Sequence, residues 1–154
     1  MKVAIVDDER DMRQSISQWL ALSGYETETF DSARAALAAI GQGYRGVVLT
    51  DIRMPEMDGM ALLKRLMHLD SALPVVMVTG HGDVPMAVEA MRLGAYDFLE
   101  KPFDPDHMAE IVRTATAART SALENRALRS ELAQGAAATQ HIVGTAPAIV
   151  ALRE

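Results

Sequence analysis

The sequence predicts an α/β fold, a doubly wound five-stranded parallel sheet with an extended C-terminal helix. Three observations carry the prediction. Short, continuous apolar runs recur along the chain, the pattern of strands buried on both faces. Amphipathic helical stretches separate them, so strand and helix alternate five times. The chain has 154 residues, 49% hydrophobic and 23% charged, which is enough for one sizeable core without staples.

The first strand is Val3-Ala4-Ile5-Val6. A helix follows over Asp11–Leu22, with Met12, Ile16, Trp19 and Leu20 at helical spacing and Gly24 as its terminator. Thr27-Glu28-Thr29-Phe30 alternates polar and apolar residues and reads as an edge strand. Ser32 caps a second helix that carries Ala36, Leu37 and Ile40 and ends near Gly41. Gly46-Val47-Val48-Leu49-Thr50 is the third strand, and a helix from Asp58 to Leu69 presents Leu62, Leu63 and Leu66. Pro74–Thr79 is the fourth strand, followed by a helix over Asp83–Leu93 and then Gly94. Tyr96-Asp97-Phe98-Leu99 is a brief fifth strand.

The fifth helix starts at Asp104-Pro105, an N-cap followed by a first-turn proline. Neither Gly nor Pro interrupts it before Gly135. About 29 residues at 1.5 Å each span roughly 40 Å, longer than a doubly wound domain needs. Ile111, Ala115, Ala118, Ala122, Asn125 and Leu132 approximate an apolar seam, so residues 105–134 are expected to form a dimerising helix. Residues 135–141 read as a flexible linker. Residues 142–154 start a new pattern and stop inside it, as expected of a piece of a longer protein.

Composition excludes several functions. There is no cysteine, so disulfide scaffolds, Cys-ligated zinc, iron–sulfur clusters and thiol chemistry drop out. Residues 1–105 hold 10 basic and 16 acidic side chains and so carry the whole net charge of −6. Neither part is basic, and no nucleic-acid footprint is expected in this fragment. The N-terminus reaches acidic residues too early for a secretory signal, and no run approaches a membrane helix. A cytoplasmic protein is expected, with no membrane partner.

The acids fall where chemistry is expected. Asp7 and Asp8 end the first strand and Asp51 the third. With the order 2-1-3-4-5 these strands are neighbours, and open parallel sheets bind ligands beyond their carboxyl ends at the switch point. Converging carboxylates repel and call for a cation, and hard oxygen donors favour Mg²⁺ or Mn²⁺. Thr79 and Lys101, at the ends of the fourth and fifth strands, reach the same rim. A lysine and a hydroxyl beside such a cation suit phosphate oxygens. The set points to phosphoryl transfer onto an aspartate nucleophile. Each residue alone has a plainer reading. Asp7-Asp8-Glu9 is also an acidic helix start, Asp51 and Thr79 are also turn residues, and Lys101 is also a surface lysine. Their joint placement at strand ends favours the functional reading.

Val6-Asp7-Asp8-Glu9, Leu49-Thr50-Asp51-Ile52-Arg53-Met54-Pro55-Glu56-Met57-Asp58-Gly59, Val78-Thr79-Gly80 and Phe98-Leu99-Glu100-Lys101-Pro102-Phe103 occur in this order. Over about residues 1–120 the sequence resembles the receiver domain of bacterial two-component response regulators, a flavodoxin-like fold. The resemblance implies that Asp51 is the phosphoacceptor. It implies that Asp8, Asp51 and the Arg53 carbonyl ligate Mg²⁺, with Asp7 acting through metal-bound water. Lys101 would contact the phosphoryl group, Thr79 would swing towards it, and Phe98 would be the aromatic switch. The Lys101–Pro102 bond would be cis. Arg53 and His81 would flank the site and tune the phosphoryl lifetime. His68, His107 and His141 lack metal-ligand spacing.

Val78–Met91 and Gly94–Phe98 resemble the nitrogen-regulator class, closest to its C4-dicarboxylate transport regulator subgroup. Glu124-Asn125-Arg126-Ala127-Leu128 adds to this, and residues 142–154 resemble the opening of a sigma-54-activator AAA+ ATPase. The resemblance implies a phosphoacceptor signalling domain, not an enzyme. Its partners would be a sensor histidine kinase and a second copy through the fifth helix. DNA and sigma-54 RNA polymerase would be reached through domains outside this sequence. The alternatives are a receiver with another output domain and a pseudo-receiver that only binds partners. A haloacid-dehalogenase-like phosphatase also uses a nucleophilic Asp and Mg²⁺, but its Asp-x-Asp pattern does not fit Asp7-Asp8-Glu9.

Overall fold

A computed structural model describes residues 1–80 and 82–138, with side chains up to Ser130. In chain order the elements are β1 (Lys2–Val6), α1 (Arg10–Leu22), β2 (Glu26–Phe30), α2 (Ala33–Ala39), β3 (Gly46–Asp51), α3 (Gly59–Leu69), β4 (Val75–Thr79), α4 (Val84–Arg92), β5 (Asp97–Glu100) and α5 (Pro105–Ala138). His81, residues 139–141 of the expected linker and the expected AAA+ opening at 142–154 lie outside the described residues.

The strands form one parallel sheet in the order β2-β1-β3-β4-β5, the order the sequence predicts. β1 pairs with β3 from Lys2 opposite Gly46 to Val6 opposite Thr50, which brings the carboxyl ends of the two strands side by side. Alternation along each strand separates two cores. Val3, Ile5, Val47, Leu49, Val76 and Val78 meet Ile16 and Leu20 of α1 and Met108, Ile111, Val112 and Ala115 of α5. Ala4, Val6, Val48, Val75 and Met77 meet Ala36 of α2, Leu62, Leu63 and Leu66 of α3 and Ala90 of α4. β1, β3 and β4 are buried on both faces almost throughout, so their sequences read as solid apolar runs. β2 lies at an edge and alternates.

Local signals set the ends. The Ser32 hydroxyl accepts from the Ala35 amide (3.1 Å) and the Asp58 carboxylate from the Ala61 amide (2.9 Å), capping α2 and α3. Gly24, at φ +93°, turns the chain out of α1. α2 stops at Ala39, two residues before the predicted glycine.

Two expectations for α5 need correction. The helix carries Gly135 inside it and runs to Ala138. One helical glycine costs only about 1 kcal/mol, and the three alanines after it are the best helix formers. Ile111 and Ala115 of the expected seam are buried in the chain's own core, against the sheet and α1. Ala118 and Asn125 are exposed, while Arg119 is fully buried. Its Nη2 donates to Asp70 (2.8 Å) and its Nε to the Tyr44 carbonyl (3.0 Å). The chain divides into two compact units, Met1–Thr120 and Ser121–Glu154. No described helix is long and apolar enough to cross a membrane.

Candidate functional site

β1 delivers its last residue, Val6, to the sheet edge, and the next two positions are Asp7 and Asp8. β3 ends on Asp51. The three residues each offer a carboxylate oxygen within 4.8 Å of the others. Asp7 and Asp51 are buried and Asp8 is exposed. The Glu9 amide donates to Asp7 Oδ1 (2.9 Å) and the Arg53 amide to Asp51 Oδ1 (3.4 Å). Arg13 holds the Asp7 carbonyl (2.7 Å), fixing the turn between β1 and α1.

Gly59 starts α3 directly behind Asp51. A Cβ there would run into the Asp51 carbonyl, and the Gly59 amide donates to the Ile52 carbonyl at 2.7 Å. Only glycine allows this approach, and it fixes the loop that leaves the site.

Among the described residues one ammonium, that of Lys101, makes ion pairs with these acids. Lys101 Nζ lies 3.5 Å from Asp51 Oδ2 and 3.9 Å from Asp7 Oδ2. The Lys101 amide donates to the Thr79 carbonyl (2.8 Å), and the Lys101–Pro102 peptide is cis. Three carboxylates against one ammonium leave an excess of negative charge. Burial pushes the Asp7 carboxyl up to about 6 against the pull of the Glu9 amide, and the Asp51 charge adds to the rise. Burial also raises Asp51, opposed chiefly by Lys101. Hard oxygen donors with surplus negative charge fit a divalent cation such as Mg²⁺.

The structure thus brings Asp7, Asp8, Asp51 and Lys101 together. Thr79 ends β4 beside them, but its hydroxyl is buried and donates to the Leu99 carbonyl of β5 (3.4 Å). Phe98 is half-buried and packs against the core under α2, α3 and α4. Arg53 turns its side chain outward, onto Asp83 (Nε 2.9 Å, Nη2 2.7 Å). Sequence reasoning did not find the Arg53–Asp83 pair. Its only signal was two opposite charges on loops that leave neighbouring strands.

The family model for the response regulator receiver domain matches residues 3–113. The C4-dicarboxylate transport transcriptional regulatory protein DctD of Rhizobium meliloti is 43% identical over 152 residues, covering 99% of this chain and 33% of that protein. Its namesake from Pseudomonas aeruginosa is 46% identical over 153 residues, with the same coverage. This chain therefore spans about a third of the length of the curated relatives it matches. The crystal structure of the receiver domain of NtrX from Brucella abortus superposes with a TM-score of 0.70 at 41% identity, covering 75% of this chain and 98% of that one.

Proposed function

The chain belongs to the response regulator receiver domain family, and from that premise we propose that Asp51 accepts a phosphoryl group from the phosphohistidine of a sensor histidine kinase. The observation that carries this reading is the cluster itself. Three carboxylates from two adjacent strand ends share one crevice with one lysine. Asp8, Asp51 and the Arg53 carbonyl would hold Mg²⁺, and Asp7 would support them from beside the site. Bound there, the cation offsets the charge of the transferring group.

In the transfer an Asp51 oxygen attacks phosphorus. The phosphorus–nitrogen bond breaks, and the imidazole leaves with the bonding pair and takes up a proton. Lys101 steadies the phosphoryl oxygens. Thr79 leaves the Leu99 carbonyl and donates to the phosphoryl group, and Phe98 repacks inward behind it. No hydroxyl sits on Phe98, so its signal is one of packing.

The similarity to DctD over almost the whole chain supports a longer parent of the sigma-54-activator class that regulates C4-dicarboxylate transport. In that parent, residues 1–120 are the receiver, 105–134 the dimerising helix, and 142–154 the opening of the AAA+ ATPase. The protein acts in the cytoplasm, and phosphorylation changes the dimer that controls the ATPase.

The test is intact mass after incubation with a small phosphodonor and Mg²⁺, beside the kinase and an Asp51→Asn control. The reading predicts a gain of about 80 Da, one phosphoryl group, which is lost in the control. No gain from either donor or kinase would leave a pseudo-receiver.

A further inference from the structure

We propose that Asp83 is a positioning residue for the phosphoryl site, acting through the Arg53 guanidinium, which passes from Asp83 to the phosphoryl group when Asp51 is modified. This rests on Asp51 being the phosphoacceptor.

Arg53 is anchored beside Asp51 by its own amide, which donates to Asp51 Oδ1 (3.4 Å). Its side chain nevertheless points away. Nε and Nη2 engage both Asp83 oxygens as a fork, at 2.9 and 2.7 Å, and Nη2 also touches Met86 Sδ at 3.7 Å. The contact ties the β3–α3 loop to the first turn of α4.

Asp83 makes this contact and leaves its own helix uncapped by its side chain. Ser32 and Asp58, in the same position before α2 and α3, turn their side chains onto helix amides. Asp83 directly precedes α4 and makes no such bond. Of the two amides a capping side chain serves, Pro85 has none and that of Met86 already reaches the Asp83 carbonyl (3.0 Å). The carboxylate faces Arg53 and the Gly80 backbone instead.

The exchange is physically accessible. The Arg53 side chain is 69% exposed and that of Asp83 13%. A pair open to water on one side is weak enough to be given up. A phosphoryl group on Asp51 carries more charge and more acceptor oxygens than the Asp83 carboxylate. Arg53 also borders an open surface pocket of about 340 Å³ with Met54, Pro55, Asp58 and Met86, so its side chain is not packed in place. Once Arg53 leaves, α4 is no longer tied to the loop that carries the modification.

The test uses the 154-residue chain, unmodified and labelled by a small phosphodonor with Mg²⁺, and reads two things. Intact mass reports labelling. Amide hydrogen exchange at Met86–Val88 reports the first turn of α4. In the natural chain labelling raises exchange there by up to about fivefold, the range of one exposed ion pair. In Asp83→Asn exchange is already raised before labelling, and labelling adds less than about twofold. Asp83→Glu restores the natural response. Arg53→Lys, which keeps the charge and loses the fork, gives a partial response. A label on Asp83→Asn with natural exchange in both states overturns the proposal while Asp51 remains the acceptor. No label on the natural chain from either the small phosphodonor or the kinase overturns the phosphoacceptor reading and this proposal with it.

Discussion

The two ends of the sheet handle buried charge in opposite ways. At the carboxyl end, Asp7, Asp8 and Asp51 converge on one lysine, and the two buried acids are held above their ordinary pKa range. At the amino end, Arg119 and Asp70 are fully buried against each other at 2.8 Å. There the balance is nearly complete. The Gly43 amide donates to Asp70 Oδ2 (3.2 Å), the Ala72 amide to Asp70 Oδ1 (3.2 Å), and Arg119 Nε to the Tyr44 carbonyl. Among the buried side-chain nitrogens and oxygens of the described residues, only Arg119 Nη1 lacks a hydrogen-bond partner. Matched, hydrogen-bonded charge closes the fold at one end. Surplus charge of one sign at the other end opposes folding and has a use only with a ligand.

Breaking the matched end should have the largest effect. Arg119→Ala leaves Asp70 buried without its cation and removes the link between α5 and the turn before β4. Loss of one partner of such a pair costs about 3–5 kcal/mol, to be read from urea unfolding. A loss below about 1 kcal/mol would place this pair among ordinary surface contacts and end the contrast.

The unmatched end should respond in the opposite direction. Asp7 holds its proton more tightly folded, at about 6, than unfolded, at 3.8. Stability therefore falls as pH rises through that window, and at pH 7.5 the whole penalty is present. Asp7→Asn removes it, gaining about 3 kcal/mol at pH 7.5 without Mg²⁺ and almost nothing at pH 3.5. Saturating Mg²⁺ should stabilise the natural chain more than the variant, about 1.4 kcal/mol for the natural chain at ten times its Kd. Thermal unfolding across pH, with and without Mg²⁺, checks both halves.

A change remote from either end calibrates the scale. Ser32→Ala removes the α2 cap and should cost about 1 kcal/mol at all pH values, with no Mg²⁺ dependence. Chemical denaturation of this variant measures what an ordinary local contact contributes here.

The carboxyl end was legible in the sequence because strand periodicity locates strand ends. Val3–Val6 and Gly46–Thr50 were solid apolar runs, and the acids stood just beyond them or at the final position. The Ser32 cap was legible for a similar reason, since capping chemistry acts over three residues. The amino end was not legible. Arg119 follows Ala117 and Ala118 on a long helix, where arginine ordinarily covers a solvated face. The four-residue step from Ala115 was its one signal. Asp70 lies 49 residues away in sequence, and no local pattern joins the two. Arg53 and Asp83, 30 residues apart, escaped for the same reason. The paired acids of one site share strand ends, whereas ion pairs across the fold share only tertiary position.

The most direct test of the unmatched end as a phosphoacceptor site is to locate the modification. The chain is incubated with a phosphodonor, with Mg²⁺ or with a chelator, then digested, and the phosphoryl group is mapped by fragment mass. One modified peptide is expected, with the group on Asp51, formed with Mg²⁺ and absent with the chelator. A group on Asp7, Asp8 or any other side chain, or equal modification of Asp51 under chelation, would contradict it.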